Sequence, residues 1–483
     1  MRGSVLYQNA EVEPFVAVNP ANPAHVVGVW QQDRWSDGGA HGLMAAASFD
    51  GGKTWAPRAL VMSRCAGGNA GNGADYARAS DPWVTISPDG AAYAISISFS
   101  GVTLQPNSTS SVLVSRSADG GQTWSDPLTL ILDGPDAFND KESIAADPNN
   151  ENYVYAVWDR LTTANTGAAM LARTADGGAS WQPAQVLYDP GANNQTLNNQ
   201  LAVLPDGSVI AFFTEIDNAF QGTPNAHMAV VRSTDHGATW SAPVKVADIH
   251  AVGARDPETG QDIRDGAFLG QIVAGPDGKL FVVWQDARFS GGQRDGVLIS
   301  QSGDGGLSWS TPVEINGDPA VQAFEPAVAV RGNGTIGVSY YDFRDDTADR
   351  ATLPTDYWLT QSADGASWKE RRIAGPFDFD LAPDAEGLFT GDYQGIVAPD
   401  DIGFLPFFVQ TTDEGTANRT DVFAFPPRGG SESLGSAVAV RSVMREPLPM
   451  SPEFRRRVQS RLLDLLREEI PGRGKPEAPP VQP

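Results

Sequence analysis

Ser48-Phe49-Asp50-Gly51-Gly52-Lys53-Thr54-Trp55 and Ser117-Ala118-Asp119-Gly120-Gly121-Gln122-Thr123-Trp124 are two copies of one pattern. The pattern returns at Thr174–Trp181, Ser233–Trp240 and Ser302–Trp309, and one residue shorter at Ser362–Trp368. Its aspartates are Asp50, Asp119, Asp176, Asp235, Asp304 and Asp364, spaced by 69, 57, 59, 69 and 60 residues. Such a period marks a repeat architecture, in which each unit buries its apolar face only against its neighbours. The physics of each copy is local. The hydroxyl and the carboxylate bond backbone groups inside a tight turn. The glycines supply positive φ where the chain reverses. The tryptophan returns a large apolar surface to the space between neighbouring sheets. These aspartates are therefore folding staples rather than catalysts or metal ligands.

Working outward, two short apolar runs precede each turn, a third leads into it and a fourth follows. Examples of the first two are Glu13–Val18 with Val26–Trp30, Asp81–Ile86 with Ala91–Ile97, and Glu325–Val330 with Gly334–Tyr341. Four short antiparallel strands per repeat describe a propeller blade. A seventh copy lacks the turn but keeps Tyr393–Ala398, Phe404–Thr411 and Asp421–Phe425; its outer strand would come from Ser4–Gln8 or Ser436–Val443. The expectation is an all-β chain, a seven-bladed β-propeller over residues 1–445, with six blades as the alternative. Ser451-Pro452 then opens a helix over 451–470, because Pro suits the first helical position. Phe454, Val458, Leu462, Leu465 and Leu466 fall on one face of it. The helix has one stripe to bury, on its own sheets or on a partner. Residues 471–483 are Pro-rich and expected to be disordered.

Composition narrows the function classes. The chain of 483 residues has a formal charge of −25, which disfavours nucleic acid and anionic membranes as partners. Cys65 is the sole cysteine, so no intrachain disulfide forms, and the five histidines make no zinc motif. No apolar run is long enough to span a bilayer. No signal peptide is visible at the opening Met1-Arg2-Gly3-Ser4.

The six motifs resemble the Asp-box, or BNR, repeats of the sialidase superfamily, over roughly residues 10–425. The box is specific for an architecture and weak for a function. The resemblance implies a secreted, extracellular or periplasmic protein acting on glycans. In sialidases an Arg-Ile-Pro motif opens the first blade, and its arginine belongs to a triad that grips the substrate carboxylate. Here that place reads Glu11-Val12-Glu13-Pro14-Phe15, with Val12 where the arginine stands in the family. The acid/base loop is matched by Arg34-Trp35-Ser36-Asp37-Gly38-Gly39, which makes Asp37 the candidate. By repeat order, Glu215 and Tyr393 match the glutamate and the tyrosine nucleophile of the family's Tyr–Glu pair.

Propeller topology puts the six motif turns on one rim. The loops between second and third strands, and between blades, lie on the other. Four of these loops repeat an aromatic, an Asp and an Arg: Trp30–Arg34, Trp158–Arg160, Trp284–Arg288 and Tyr341–Arg344. Between blades come Asp140-Lys141-Glu142, Arg264-Asp265 and Gly391-Asp392-Tyr393. Either each Asp–Arg couple ties neighbouring blades, or the ring binds a polar ligand, with Arg34, Arg160, Arg288 and Arg344 as the pool of anion-binding residues. The leading expectation is an exo-glycoside hydrolase acting on acidic sugars, with Asp37 as acid/base, Tyr393 as nucleophile and Glu215 as its activating base. The alternative is a non-catalytic propeller that binds glycan or protein by the same rim; a lyase is a third class. No cofactor is assigned. Ca²⁺ is the ion an Asp-rich rim would take, although no loop has EF-hand spacing.

Overall fold

The motif turns close as their residue types dictate. In the computed structural model, which describes residues 4–399, 403–413, 419–427, 439–440 and 446–468, the Ser48 hydroxyl donates to Asp50 Oδ1 at 2.9 Å and accepts the Gly52 amide at 2.9 Å. Asp50 Oδ1 also accepts the amides of Lys53 and Thr54, and Oδ2 accepts the Thr54 hydroxyl at 2.7 Å. The carboxylates of Asp119, Asp176, Asp235 and Asp304 take the hydroxyls of Thr123, Ser180, Thr239 and Ser308 in the same way. Asp364, in the shorter copy, accepts the amides of Ala366 and Ser367. These donors hold the carboxyls of Asp50, Asp119, Asp176, Asp304 and Asp364 at about 2, and Asp235 lower still. Gly51 and Gly52 sit at φ of +74° and +85°, where any other residue would be strained.

Six sets of four antiparallel strands lie within residues 6–60, 78–133, 137–188, 195–248, 271–314 and 323–378. A three-stranded set follows: Gly395–Val397, Leu405–Thr411 and Thr420–Ala424. The motif tryptophans show how the sets are stacked. Trp124 packs in a cluster with Val27 and Ala47 of the first set, Trp181 with Tyr93 and Ile95 of the second, and Trp240 with Tyr155 and Leu171 of the third. Trp309 packs with Val230 of the fourth set and Trp368 with Phe281 and Val283 of the fifth. Each tryptophan thus wedges its own set against the preceding one. Trp55, in the first set, packs on Leu405 and Phe407 of the last. Only Trp368 is fully buried; the other five are half-buried, because they stand at the outer edge of each seam. Glu11 strengthens the seam between first and last sets by accepting the Val422 amide at 2.9 Å, and burial pushes its carboxyl up to about 7.

Both sources expected for a seventh outer strand are corrected. Ser4–Gln8 does not cross to the last set: the strand Leu6–Asn19 continues through it and pairs Leu6 with Trp35 inside the first set. The pair Ala439–Val440 joins Trp368 and Lys369, and so extends the sixth set; its flanks lie outside the described residues. The last set has three strands among the described residues.

The helix α1 runs Pro452–Glu468, with the Ser451 hydroxyl accepting the Phe454 amide at 3.1 Å. This is an N-cap with Pro at the first helical position. Phe454, Leu462, Leu465 and Leu466 are buried, and Val458 is half-buried. The three leucines join the core of the fourth and fifth sets, so the helix docks on its own chain. The expected Pro-rich tail at 471–483 lies outside the described residues.

Candidate active site

The first strand of five sets breaks step at one residue. The register shifts beside Glu13, Asp81, Lys141, Asn198 and Glu325, and each of these has positive φ, from +47° to +60°. A bulge inserts an extra residue and re-aims side chains. In three of the five a proline follows directly, at Pro14, Pro82 and Pro326, which fits a bulge because proline cannot donate to the ladder. Four of the five side chains, with those of Asp392 and Arg264, form one buried polar centre. Arg264 arrives on a short parallel pairing of Ile263–Arg264 with Leu388–Phe389.

Asp392 is the hub. Lys141 Nζ donates to it at 2.6 Å and to Asp81 at 3.0 Å. Arg264 grips it with Nε and a terminal nitrogen, at 3.1 and 2.9 Å. Burial opposes its charge, but Arg264 and Lys141 outweigh burial and hold Asp392 well below its ordinary value. The glutamates behave oppositely. Burial, reinforced by Asp81, pushes Glu13 and Glu142 well above the usual range. Burial does the same to Glu325, which accepts from Gln394 at 2.6 Å. The centre thus sets two aspartates whose carboxyls are held low by Lys141 and Arg264 beside three glutamates whose carboxyls are pushed up by burial.

Arg34 belongs here. Only 2% exposed, it donates to Gln31 at 2.8 Å, and Gln31 in turn donates to Glu13 and to Ser80. Arg34 and Arg264 each stack on the Phe389 ring, 4.6 and 4.7 Å from its centroid. Arg34 Nε and Glu13 Oε1 are buried without a hydrogen-bond partner. Buried polar atoms in native proteins are nearly always paired, so the orphan on Arg34, beside a hollow, requires an explanation. The hollow is small, about 50 Å³, and its walls include Arg34, Lys141, Arg264, Asp81, Asp37 and Glu468.

Asp37 stands at its lip, with half of its side chain exposed. It accepts from Arg78 at 2.8 Å and from the Ser4 hydroxyl at 2.6 Å. Partial burial pushes its carboxyl up, but these two donors prevail and hold it below its ordinary value. The Tyr393–Glu215 pair does not form. Tyr393 packs on Trp83 and Phe15 and turns its hydroxyl to the Pro82 carbonyl at 3.4 Å. Glu215 accepts from a different tyrosine, Tyr188, at 2.9 Å. Position along the repeats could not resolve this, because both tyrosines lie near a set's end.

Of the four arginines in the expected pool, Arg34 alone reaches the centre. Arg160 is held by both oxygens of Asp133, Arg288 by Asp286, and Arg344 by Asp342 and Glu370. These three are structural ties, Arg160 between the second and third sets and Arg288 and Arg344 within their own, since each guanidinium already has a carboxylate partner. Lys141, Arg264 and Asp392, from the between-blade segments, reach the centre, whereas Asp81 and Glu13 were missed as site residues. The signal that could have found these two is an acidic residue before proline inside an apolar run. Among the described residues no group of three or more His, Cys, Asp or Glu side chains could hold a metal ion. No helix among them is long and apolar enough to cross a membrane.

An array of wedged antiparallel sets around a polar centre defines a repeat protein of the propeller-like class. Residues 154–370 match the family described as BNR repeat-like domain. With that match and the six turns, the chain is similar to BNR-repeat proteins. Solved structures similar to this chain include the Hadza microbial sialidase Hz136, at 17% identity over 84% of this chain and 75% of that one, TM-score 0.45. A protein of unknown function from Dyadobacter fermentans matches at 16% identity over 88% and 98%, TM-score 0.46. The α-L-arabinofuranosidase Arb93a from Fusarium graminearum, in complex with an iminosugar inhibitor, matches at 13% over 70% and 91%, TM-score 0.44.

Proposed function

We propose that the chain is a seven-bladed, secreted propeller that takes an acidic sugar into its central hollow and hydrolyses the glycosidic bond at the lip, as a sialidase-like exo-glycosidase does. The observation that carries this reading is the unpartnered Nε of buried Arg34, stacked with Arg264 on Phe389 beside the hollow. Val12, where the resemblance puts an arginine, is itself fully buried against Phe389. Arg34 and Arg264 therefore stand next to the place the family fills with a guanidinium. A ligand carboxylate would take the free Arg34 donor. Charge-assisted bonds of this kind are about twice as strong as neutral ones.

Asp37, kept ionised by Arg78 and Ser4, can take a proton from an attacking water. Water oxygen then bonds the anomeric carbon, the bond from that carbon to the leaving oxygen breaks, and Asp37 passes the proton it took on to the leaving oxygen. Water is the nucleophile in this reading, because the Tyr393 hydroxyl is turned to Pro82 and Glu215 is engaged by Tyr188. The test is a panel of aryl glycosides of sialic and uronic acids. Asp37→Asn should lower turnover by about 10²–10⁴-fold, the usual share of acid/base catalysis. Arg34→Ala should weaken only substrates that carry the anion. The second reading, glycan binding without cleavage, is favoured by the absent Tyr–Glu pair. It stands if wild-type protein turns over no member of the panel but still binds acidic sugars through Arg34.

A further inference from the structure

We infer a second ligand site, a cleft built jointly by α1 and the loops of the fifth and sixth sets, which takes the following residues of an acidic oligosaccharide. This rests on the reading that the central hollow accepts an acidic sugar. The cleft measures about 750 Å³, within the size range of small-molecule sites. Arg255, Arg294, Arg344, Arg457 and Arg461 line it, in a chain whose formal charge is −25. Three of these are committed elsewhere. Arg255 is paired with Asp262, Arg344 with Asp342 and Glu370, and Arg461 with Asp265 and Glu468.

Arg294 and Arg457 are different. Arg294 has only the Pro319 carbonyl, at 2.9 and 2.7 Å, and no carboxylate among the described residues. Arg457 donates to the Gly292 carbonyl and makes one exposed helical pair with Glu453, which contributes little. Two guanidiniums with donors to spare suit carboxylates presented at an interval. The cleft also carries an acceptor and a neutral donor. Asp346 lines the wall, and its Oδ1 is buried and unpartnered. Gln322 Nε2 is buried and unpartnered. A sugar acid carries both the anion for the arginines and hydroxyls for these groups.

Position supports the same reading. A hollow of about 210 Å³ shares Val252, Gly253, Arg255 and Arg461 with the cleft and includes Glu468. Glu468 also walls the central hollow. The three spaces run end to end along α1. The helix is seated for this: a Cβ on Gly253 would lie 2.6 Å from Arg461 Cδ, and one on Gly292 would lie 2.3 Å from Phe454 Cδ2.

The test is calorimetric binding of hexasaccharides of galacturonate, of a sulfated sugar and of neutral glucose, with monomeric galacturonate alongside. Wild type should bind the galacturonate hexamer, more weakly as salt rises, and should not bind the neutral hexamer. The double variant Arg294→Ala/Arg457→Ala should lose at least tenfold in hexamer affinity and leave the monomer unchanged. Arg294→Lys/Arg457→Lys, which keeps charge and fold, should recover part of the loss. Preference for the sulfated hexamer, with the same dependence on the variants, would uphold the cleft and identify its anion as sulfate. Hexamer affinity within twofold of wild type in the alanine variant, or equal binding of the neutral hexamer, overturns the inference. Loss of monomer binding in Arg34→Ala with the cleft variant silent would overturn it while leaving the central site intact. Absent turnover with variant-sensitive hexamer binding would do the reverse.

Discussion

Arg461→Ala should loosen α1 far more than its place on an amphipathic helix suggests. Arg461 is buried, with its terminal nitrogens 3.1 Å from Asp265 and 2.7 Å from Glu468. Asp265 is fully buried and also accepts the Gln285 amide at 2.7 Å, so it cannot turn to water when Arg461 is cut. Removing one partner of a buried pair costs about 3–5 kcal/mol, because the remaining charge stays buried and uncompensated. The docking of α1 has more to draw on: Phe454, Leu462, Leu465 and Leu466 are buried, at roughly 1.5–3 kcal/mol each as an upper bound. The helix therefore stays docked in the variant but opens more often. At about 1.4 kcal/mol per tenfold, its amides should exchange about 10²–10⁴ times faster. Hydrogen exchange read by mass spectrometry over residues 452–468 measures this locally, with no need for two-state global unfolding. Arg467→Ala is the control, since that half-exposed residue bridges only Asp464 three residues away. Exchange within threefold of wild type for Arg461→Ala, or an equal rise for Arg467→Ala, would refute the buried-bridge argument.

Glu11 gives a pH signature. Its folded carboxyl titrates at about 7 against an ordinary 4.5, so the folded form holds a proton that the unfolded chain has released. Stability should fall as pH rises from about 4.5 to 7, and Glu11→Gln should flatten that slope in thermal melts across the window. The motif aspartates have the opposite sign: their folded values near 2 lie below the ordinary 3.8, so their contribution is present above about pH 4 and is lost as pH falls through 2. Acid titration of Asp119→Asn should remove one such step. Gly292→Ala should expose the start of α1 to protease, because position 292 has φ of +83° and its new Cβ would meet Phe454; cleavage between residues 446 and 454 at the wild-type rate would contradict this.

How much was legible in the sequence follows from whether the physics was local. The motif turns were readable because hydroxyl, carboxylate and glycines all act within a few residues, and the bonds at Asp50 and Asp119 lie where that chemistry puts them. The helix was readable because Ser451, Pro452 and the apolar stripe are one linear signal. The site was not local. The guanidiniums of Arg288 and Arg344 are claimed by carboxylates of their own set and that of Arg160 by Asp133 of the preceding one, whereas Lys141 meets an aspartate 251 residues away in Asp392. Tyr393 and Glu215 occupy suitable places in the repeat order, but the orientation of each side chain was decided by Trp83 and Tyr188, which that order does not encode. Ala439–Val440 was misplaced for a related reason: a short strand carries no mark of which sheet edge it will join.

The bulges explain why a chain made of stacked, nearly identical sheets has any centre of chemistry at all. A regular inner strand alternates its side chains between the two faces of its own sheet, which sends them into the seams and not along the common axis. At Glu13, Asp81, Lys141, Asn198 and Glu325 the chain departs from that alternation. Each adopts a left-handed conformation without being glycine, at about 1–2 kcal/mol apiece. Five such residues amount to a strain of about 5–10 kcal/mol, comparable with the whole net stability of a typical domain. Strain of that size persists only where the surroundings over-determine it, and it concentrates at functional sites. Here what over-determines it is the network around Asp392, whose partners come from three different parts of the chain. Mere wedging of one sheet on the next needs none of this, since the tryptophans and apolar strands already supply it. The costly geometry is spent on bringing Asp81 and Lys141 beside Arg34 and Arg264 at one hollow with an unpartnered donor, which is the arrangement a polar ligand requires.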